Sequence, residues 1–161
     1  ANGNVWFVEN VKFVNSANTE MQILDSLNTK TTAVLYKSKY SEKSSFNFEK
    51  DATATIKLLK YDVTQLIYQS KTKKEQFAVF SEIYYKDGWN AYIDGELINY
   101  FRVNYVLRGM KIPAGEHKIE FKFEPKVIQQ GGMISLFSYI VLILVFVGWF
   151  LYDKKKKKKS N

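Results

Sequence analysis

The sequence predicts a mainly β fold: an antiparallel β-sandwich with one short N-terminal helix, followed by a single C-terminal transmembrane helix. Three observations carry this. Residues 117–124, "HKIEFKFE", alternate strictly, with Ile119, Phe121 and Phe123 on one side and Lys118, Glu120, Lys122 and Glu124 on the other. Turn signals recur at short intervals, among them Asp94-Gly95 and Pro113 with Gly115. Residues 133–152, "MISLFSYIVLILVFVGWFLY", run for twenty positions without a charge.

Taken in order, residues 18–27, "NTEMQILDSL", predict a helix. Asn18 or Thr19 can cap it, and Met21, Ile23, Leu24 and Leu27 share a face. The polar stretch 37–51 reads as a loop crossing between sheets. "TATIKLLKY" and "VTQLIYQS" predict a hairpin about Tyr61-Asp62, with "SKTKKEQ" an exposed turn after it. "FAVFSEIYY" is apolar on both faces, as a central strand between two layers should be.

Asp94-Gly95 separates "WNAYI" from "ELINYF" and suits a type I′ hairpin. "RVNYVLRGMKI" predicts one further strand, with Gly109 a bulge or bend. About seven to nine short strands at this spacing indicate a jelly-roll or immunoglobulin-like sandwich over residues 1–130. "VIQQGG" reads as a link to the membrane segment, residues 131–152, which precedes a lysine tail over residues 153–161.

The charge-free run would span about 30 Å as a helix, the hydrocarbon thickness of a bilayer. Trp149 and Tyr152 stand where an aromatic belt would lie. Lys154, Lys155, Lys156, Lys157, Lys158 and Lys159 follow at once, and the positive-inside rule places them in the cytoplasm, with the sandwich outside. Each lysine near an anionic leaflet is worth about 1 kcal/mol. The lipid bilayer is therefore the first expected partner.

The formal charge of +8 would otherwise suggest nucleic acid. Six of the positive charges are those lysines and Asp153 takes one back, so residues 1–152 carry +3, interspersed with acids. No nucleic-acid partner is expected. The chain has no cysteine and one histidine, His117. That excludes disulfides, thiolate chemistry, Cys-based metal sites and the usual His-rich zinc arrangements.

The chain opens on "ANGNVWFVEN", with no initiator methionine, basic n-region or apolar h-region. A translocated domain of this kind needs an earlier signal, so the sequence is expected to be the carboxyl end of a longer protein.

"FSEIYYKDGWNAYIDGE", then "YFRVNYVLRGMKIPAGEHKIEFKFEP", then one terminal apolar helix, resembles the carboxyl end of YfhO-like bacterial membrane proteins. "NVWFVENVKFVNSANTEMQILDSLNTKTTAVL" resembles the segment preceding that module in the same family. That family is similar to polytopic glycosyltransferases of the GT-C type, which take sugars from polyprenyl-phosphate carriers on the outer face of the cytoplasmic membrane. The resemblance implies a cell-envelope glycan context, with a glycan or lipid-linked sugar and the membrane region of the same protein as partners. It carries no catalytic residue across, because the catalytic acid is expected in a loop near the amino terminus of such proteins.

Residue by residue, two readings stand for the aromatic cluster. Trp89, Tyr84, Tyr85 and Tyr92 can form a platform for sugar rings, or Trp89, Ala91 and Ile93 can fill the core from one strand face. The second is favoured, leaving Tyr92 and Asn90 on the opposite face as ligand-binding candidates. Arg102, Asn104 and Arg108, read as one strand face, are the further candidates for a phosphate or glycan, against a solvated sheet face.

Asp87, Asp94 and Glu96 lack the oxygen density of a calcium site, and Asp94 already has a turn to make, so no metal is expected. His117 reads as a turn-packing residue. No cofactor and no catalytic set is expected in this chain. A stand-alone membrane-anchored binding subunit of an envelope complex is the alternative to the terminal-module reading.

Overall fold

The computed structural model of the chain describes residues 2–37 and 46–159. These form two compact units, Ala1–Glu124 and Pro125–Asn161.

In the first unit, chain order is β1 (Val5–Val8), β2 (Asn10–Val14), α1 (Ala17–Leu24), β3 (Thr32–Tyr36), β4 (Phe46–Asn47), β5 (Thr55–Tyr61) and β6 (Gln65–Thr72). Then come β7 (Gln76–Ile83), β8 (Trp89–Ile93), β9 (Glu96–Ile98), β10 (Phe101–Val103), β11 (Leu107–Ile112) and β12 (Gly115–Phe123). A seven-stranded sheet has the order β1-β7-β11-β10-β3-β2-β4, and a five-stranded sheet the order β5-β6-β12-β8-β9. The two sheets stack as a sandwich, as the alternation predicts. Among the described residues every pairing is antiparallel except β2 with β3, which are parallel and joined through α1. The larger sheet is therefore mixed, and β1 to β4 come from sequence whose pattern predicts no strand.

The core lies between the sheets. Ala78, Phe80, Met110 and Ile112 meet Leu66, Tyr68, Ala91, Ile93, Ile119 and Phe121. Burying side chains of this size contributes about 1.5–3 kcal/mol each. A second cluster forms on the other face of the larger sheet, around Val11, Leu35, Phe77, Val79 and Val103. β7 is thus apolar on both faces, as "FAVF" requires, but it ends at Ile83 and leaves Tyr84 and Tyr85 in the following loop.

Several local expectations shift. Helix α1 starts one residue earlier, at Ala17, because Ser16 caps it: the Ser16 hydroxyl accepts from the Thr19 amide at 3.0 Å. Its buried residue is Glu20, while Met21, on the expected apolar face, is exposed. The β5–β6 hairpin turns through Asp62–Gln65. Residues 102–112 make a hairpin and not one strand, with Asn104 (φ 48°) and Tyr105 (φ 71°) turning it in the left-handed region. Gly109 lies flat inside β11, and the register shift falls at Leu107/Arg108. A Cβ on Gly109 would meet the Phe77 ring at 2.7 Å, which is why no side chain stands there. Within 37–51, Phe46 and Asn47 pair with β2, and residues 38–45 lie outside the described residues.

In the second unit, α2 runs from Lys126 to Lys159 without a break. "VIQQGG" is therefore helical, the first turns of α2 leading into the apolar stretch. Residues Gly131–Phe150 form a stretch of twenty with mean hydropathy 2.4, long and apolar enough to cross a membrane. Within it the Ser138 hydroxyl donates to the Ile134 carbonyl at 2.9 Å, so the helix satisfies its own polar group.

Candidate functional site

The outer face of the five-stranded sheet gathers two of the sequence candidates. β8 and β12 pair with Asn90 opposite Lys122 and Tyr92 opposite Glu120. Residues directly opposite share a face, so these four side chains stand together. Glu124, just beyond β12, completes the group. Asn90 Nδ2 donates to Glu124 Oε2 at 2.8 Å, and the Tyr92 hydroxyl donates to the same oxygen at 2.7 Å. The Lys122 ammonium lies 4.7 Å from the centre of the Tyr92 ring.

The electrostatics follow from those bonds. The Asn90 bond, then the Tyr92 bond, hold the Glu124 carboxyl below its usual range. The same carboxylate raises the Tyr92 phenol. Glu124 is therefore an ionised acceptor at neutral pH and not a proton donor. Both donors fall on Oε2, leaving Oε1 outside these two bonds. A fixed carboxylate beside a half-buried tyrosine and an ammonium can accept sugar hydroxyls while a ring packs on the phenol. It suits binding better than proton transfer.

The other three candidates are separated by the β10–β11 hairpin. Arg102 stands opposite Arg108 in the register, so the two share a sheet face, but they meet different partners. Arg102 Nη2 meets Glu20 Oε2 at 2.8 Å, while Glu20 Oε1 accepts from the Tyr105 amide at 2.9 Å. Asn104 is buried: its side-chain oxygen accepts from the Val34 amide at 2.9 Å and its own amide donates to the Val34 carbonyl at 2.8 Å. These bonds hold the turn to β3.

Arg108 is only 2% exposed. Its guanidinium lies 4.5 Å from the Trp89 ring centre and 5.0 Å from that of Phe121, and its Nε donates to the Ile83 carbonyl at 3.0 Å. Burial lowers its pKa, and burial raises Glu82 nearby. It pushes Tyr100 up to about 12.

Trp89 is half-buried, between Arg108 and the Phe123 ring at 5.4 Å. Ala91 and Ile93, on the same strand face, are buried in the core. Tyr84 packs at a tilt against Tyr100, whose hydroxyl donates to the Trp89 carbonyl at 2.9 Å. Asp94 takes φ 51° and Gly95 φ 91°, as a type I′ turn needs. Asp94 also binds His117 Nδ1 at 2.6 Å and accepts from the Lys118 amide at 2.8 Å. Among the described residues no group of three His, Cys, Asp or Glu could hold a metal ion.

Sequence reasoning missed Glu124 and Glu20 as partners. The "KIEFKFE" alternation marks Glu124 as outward-facing, and only the β8–β12 register shows what it meets. Nothing local marks Glu20. Of the anchor residues, Trp149, Lys154 and Lys155 are exposed on α2, with Lys154 4.7 Å from the Phe150 ring. The side chains of Tyr152, Lys156, Lys157, Lys158 and Lys159 lie outside the described residues.

No curated protein and no solved structure matches the chain. The family model described as bacterial membrane protein YfhO matches residues 14–135, which takes in the sandwich from the last residue of β2 onward and the start of the apolar stretch. A sandwich of this kind joined to one spanning-length helix, matched over three quarters of its length, belongs to the YfhO family of bacterial membrane proteins.

Proposed function

We propose that this chain is a non-catalytic, extracytoplasmic module of a YfhO protein that uses lipid-linked sugars to assemble envelope glycan. The sandwich stands on the outer side of the bacterial cytoplasmic membrane and the lysine tail on the inner side. The membrane region of the same protein is its working partner. Within that arrangement the module positions acceptor glycan or covers the active site, and the chemistry of sugar transfer belongs elsewhere in the protein.

The observation that supports this best is the Glu124 carboxylate, fixed by Asn90 and Tyr92 on the outer sheet face. Sugar hydroxyls need acceptors held in place and an aromatic surface for their C–H faces, and this group supplies both.

Saturation-transfer NMR on the full chain in nanodiscs tests it, with chito-oligosaccharides and gluco-oligosaccharides as probes. Saturation should reach the sugar ring protons and disappear in Tyr92→Ala. Glu124→Gln should weaken it, since the ionised acceptor is lost. Absence of transfer to both probe classes, or transfer that survives both substitutions, would contradict the reading.

A further inference from the structure

The large apolar side chains that the sandwich leaves in water are concentrated at one end of it. Tyr61, Val63, Ile83, Tyr85 and Val106 are all exposed, from 45% at Val106 to 86% at Val63. Val63, Tyr85 and Val106 lie in three separate connections, Tyr61 and Ile83 are the last residues of β5 and β7 where two of these begin, and the hydrogen bonds bring the three connections together. The Phe123 amide donates to the Thr64 carbonyl at 2.8 Å, tying the β5–β6 turn to the end of β12. The Glu124 amide donates to the Gly88 carbonyl at 2.7 Å, tying the β7–β8 loop to the same place. The Tyr84 amide donates to the Val106 carbonyl at 2.7 Å, adding the β10–β11 turn. The other exposed large apolar residues described in this unit, Met21, Leu59 and Leu97, belong to helix α1 and to strands β5 and β9.

We infer that this rim docks onto the lipid surface of the outer leaflet, with its apolar side chains in the headgroup and upper acyl region. Two observations commit it to lipid. β12 ends at the rim, and only six residues separate Glu124 from Gly131, where the apolar run of α2 begins. A chain of that length reaches no more than about 25 Å. The composition is also that of an interfacial surface: tyrosines with aliphatic residues, beside Lys60 and Lys86, whose stems can lie along lipid while their charges stay in water. Exposed apolar clusters of this kind mark membrane or protein contacts, and this one is tethered to a membrane. The docking rests on the span and on the outward placement proposed above and does not need the glycan reading, because the rim side chains are not those of the Asn90–Tyr92–Glu124 group.

The chain has no cysteine, so single labels can be placed cleanly. The full chain is reconstituted in phosphatidylcholine–phosphatidylglycerol vesicles with a fluorophore at Val63→Cys, at Ile83→Cys or, as a reference in the β6–β7 turn, at Lys73→Cys. Lipid carrying a doxyl quencher near the headgroup end of the acyl chain should remove most of the emission at positions 63 and 83. It should leave position 73 unchanged. Equal emission at all three sites would overturn the proposal and leave a protein surface as the rim's occupant. A second arm places the label at Tyr85→Cys and adds Val63→Asp with Ile83→Asp. The quenching seen at position 85 without those aspartates should be lost with them, and quenching that persists would also overturn it.

Discussion

Glu20 and Arg102 stand 82 positions apart in the chain and meet at 2.8 Å, with the carboxylate fully buried. The second oxygen of Glu20 accepts from the Tyr105 amide, so one side chain fastens helix α1 to the turn between β10 and β11. Removing one partner of a buried pair leaves the other charge uncompensated and costs about 3–5 kcal/mol. Glu20→Ala should therefore cost the sandwich that much unfolding free energy, read as a lower urea midpoint of the full chain in nanodiscs at an unchanged m-value. Glu20→Gln keeps an acceptor for Tyr105 and should cost less. A midpoint unchanged in Glu20→Ala would remove α1 from the stability of the sandwich.

Trp89 presents a different balance. A fully buried tryptophan loses about 3–5 kcal/mol on truncation to alanine. Half-burial brings Trp89→Ala nearer about 2 kcal/mol. Part of that belongs to the Arg108 stack at 4.5 Å. A double-mutant cycle with Arg108→Met should give a coupling of about 1 kcal/mol. A coupling near zero would show that the Ile83 carbonyl and the Phe121 ring hold the guanidinium without Trp89.

The Asp94–His117 pair ties two hairpins and makes stability depend on pH. The Asp94 bond raises His117 from 6.5, and the His117 bond, then the Lys118 amide, lower Asp94 from 3.8. The raised histidine stabilises the fold fully below pH 6.5, and that contribution is lost as pH rises through its folded pKa. The lowered aspartate contributes above pH 3.8 and is lost as pH falls through its folded pKa. The pair thus helps most between those two values. Both side chains touch water, so the effect is small. Asp94→Asn keeps the turn and loses the charge. Its melting temperature should fall below that of the unmodified chain inside this window and converge with it well above neutral pH. A constant difference at all pH values would mean the pair is not ionic.

How much of this was legible beforehand differs from one turn to the next. Asp94-Gly95 announces itself because both positions need positive φ and few residue pairs supply it. Asn104-Tyr105 also has positive φ at both positions, yet "RVNYVLRG" reads as continuous strand. Its turn is held by the Val34 backbone, 70 positions away, which no local pattern contains. The same reason hides Glu20: its partner Arg102 comes from the other half of the chain. The parallel β2–β3 pair was equally hidden, since its strands are short and joined by a helix.

The candidate site was half legible. Period two put Asn90 and Tyr92 on the outer face, and there they stand. Arg102, Asn104 and Arg108 were grouped by counting along one strand, and the hairpin sends them to a buried carboxylate, a backbone and an aromatic stack.

The proposed orientation puts the sandwich outside the cytoplasmic membrane and the lysine tail inside. Single cysteines at Ser26, which is exposed beyond α1, and at Ser160 test this in intact cells with a membrane-impermeant thiol reagent. Ser26→Cys should be labelled at once, and Ser160→Cys should react only after the membrane is opened. Labelling of Ser160→Cys in intact cells, with Ser26→Cys protected, would contradict it.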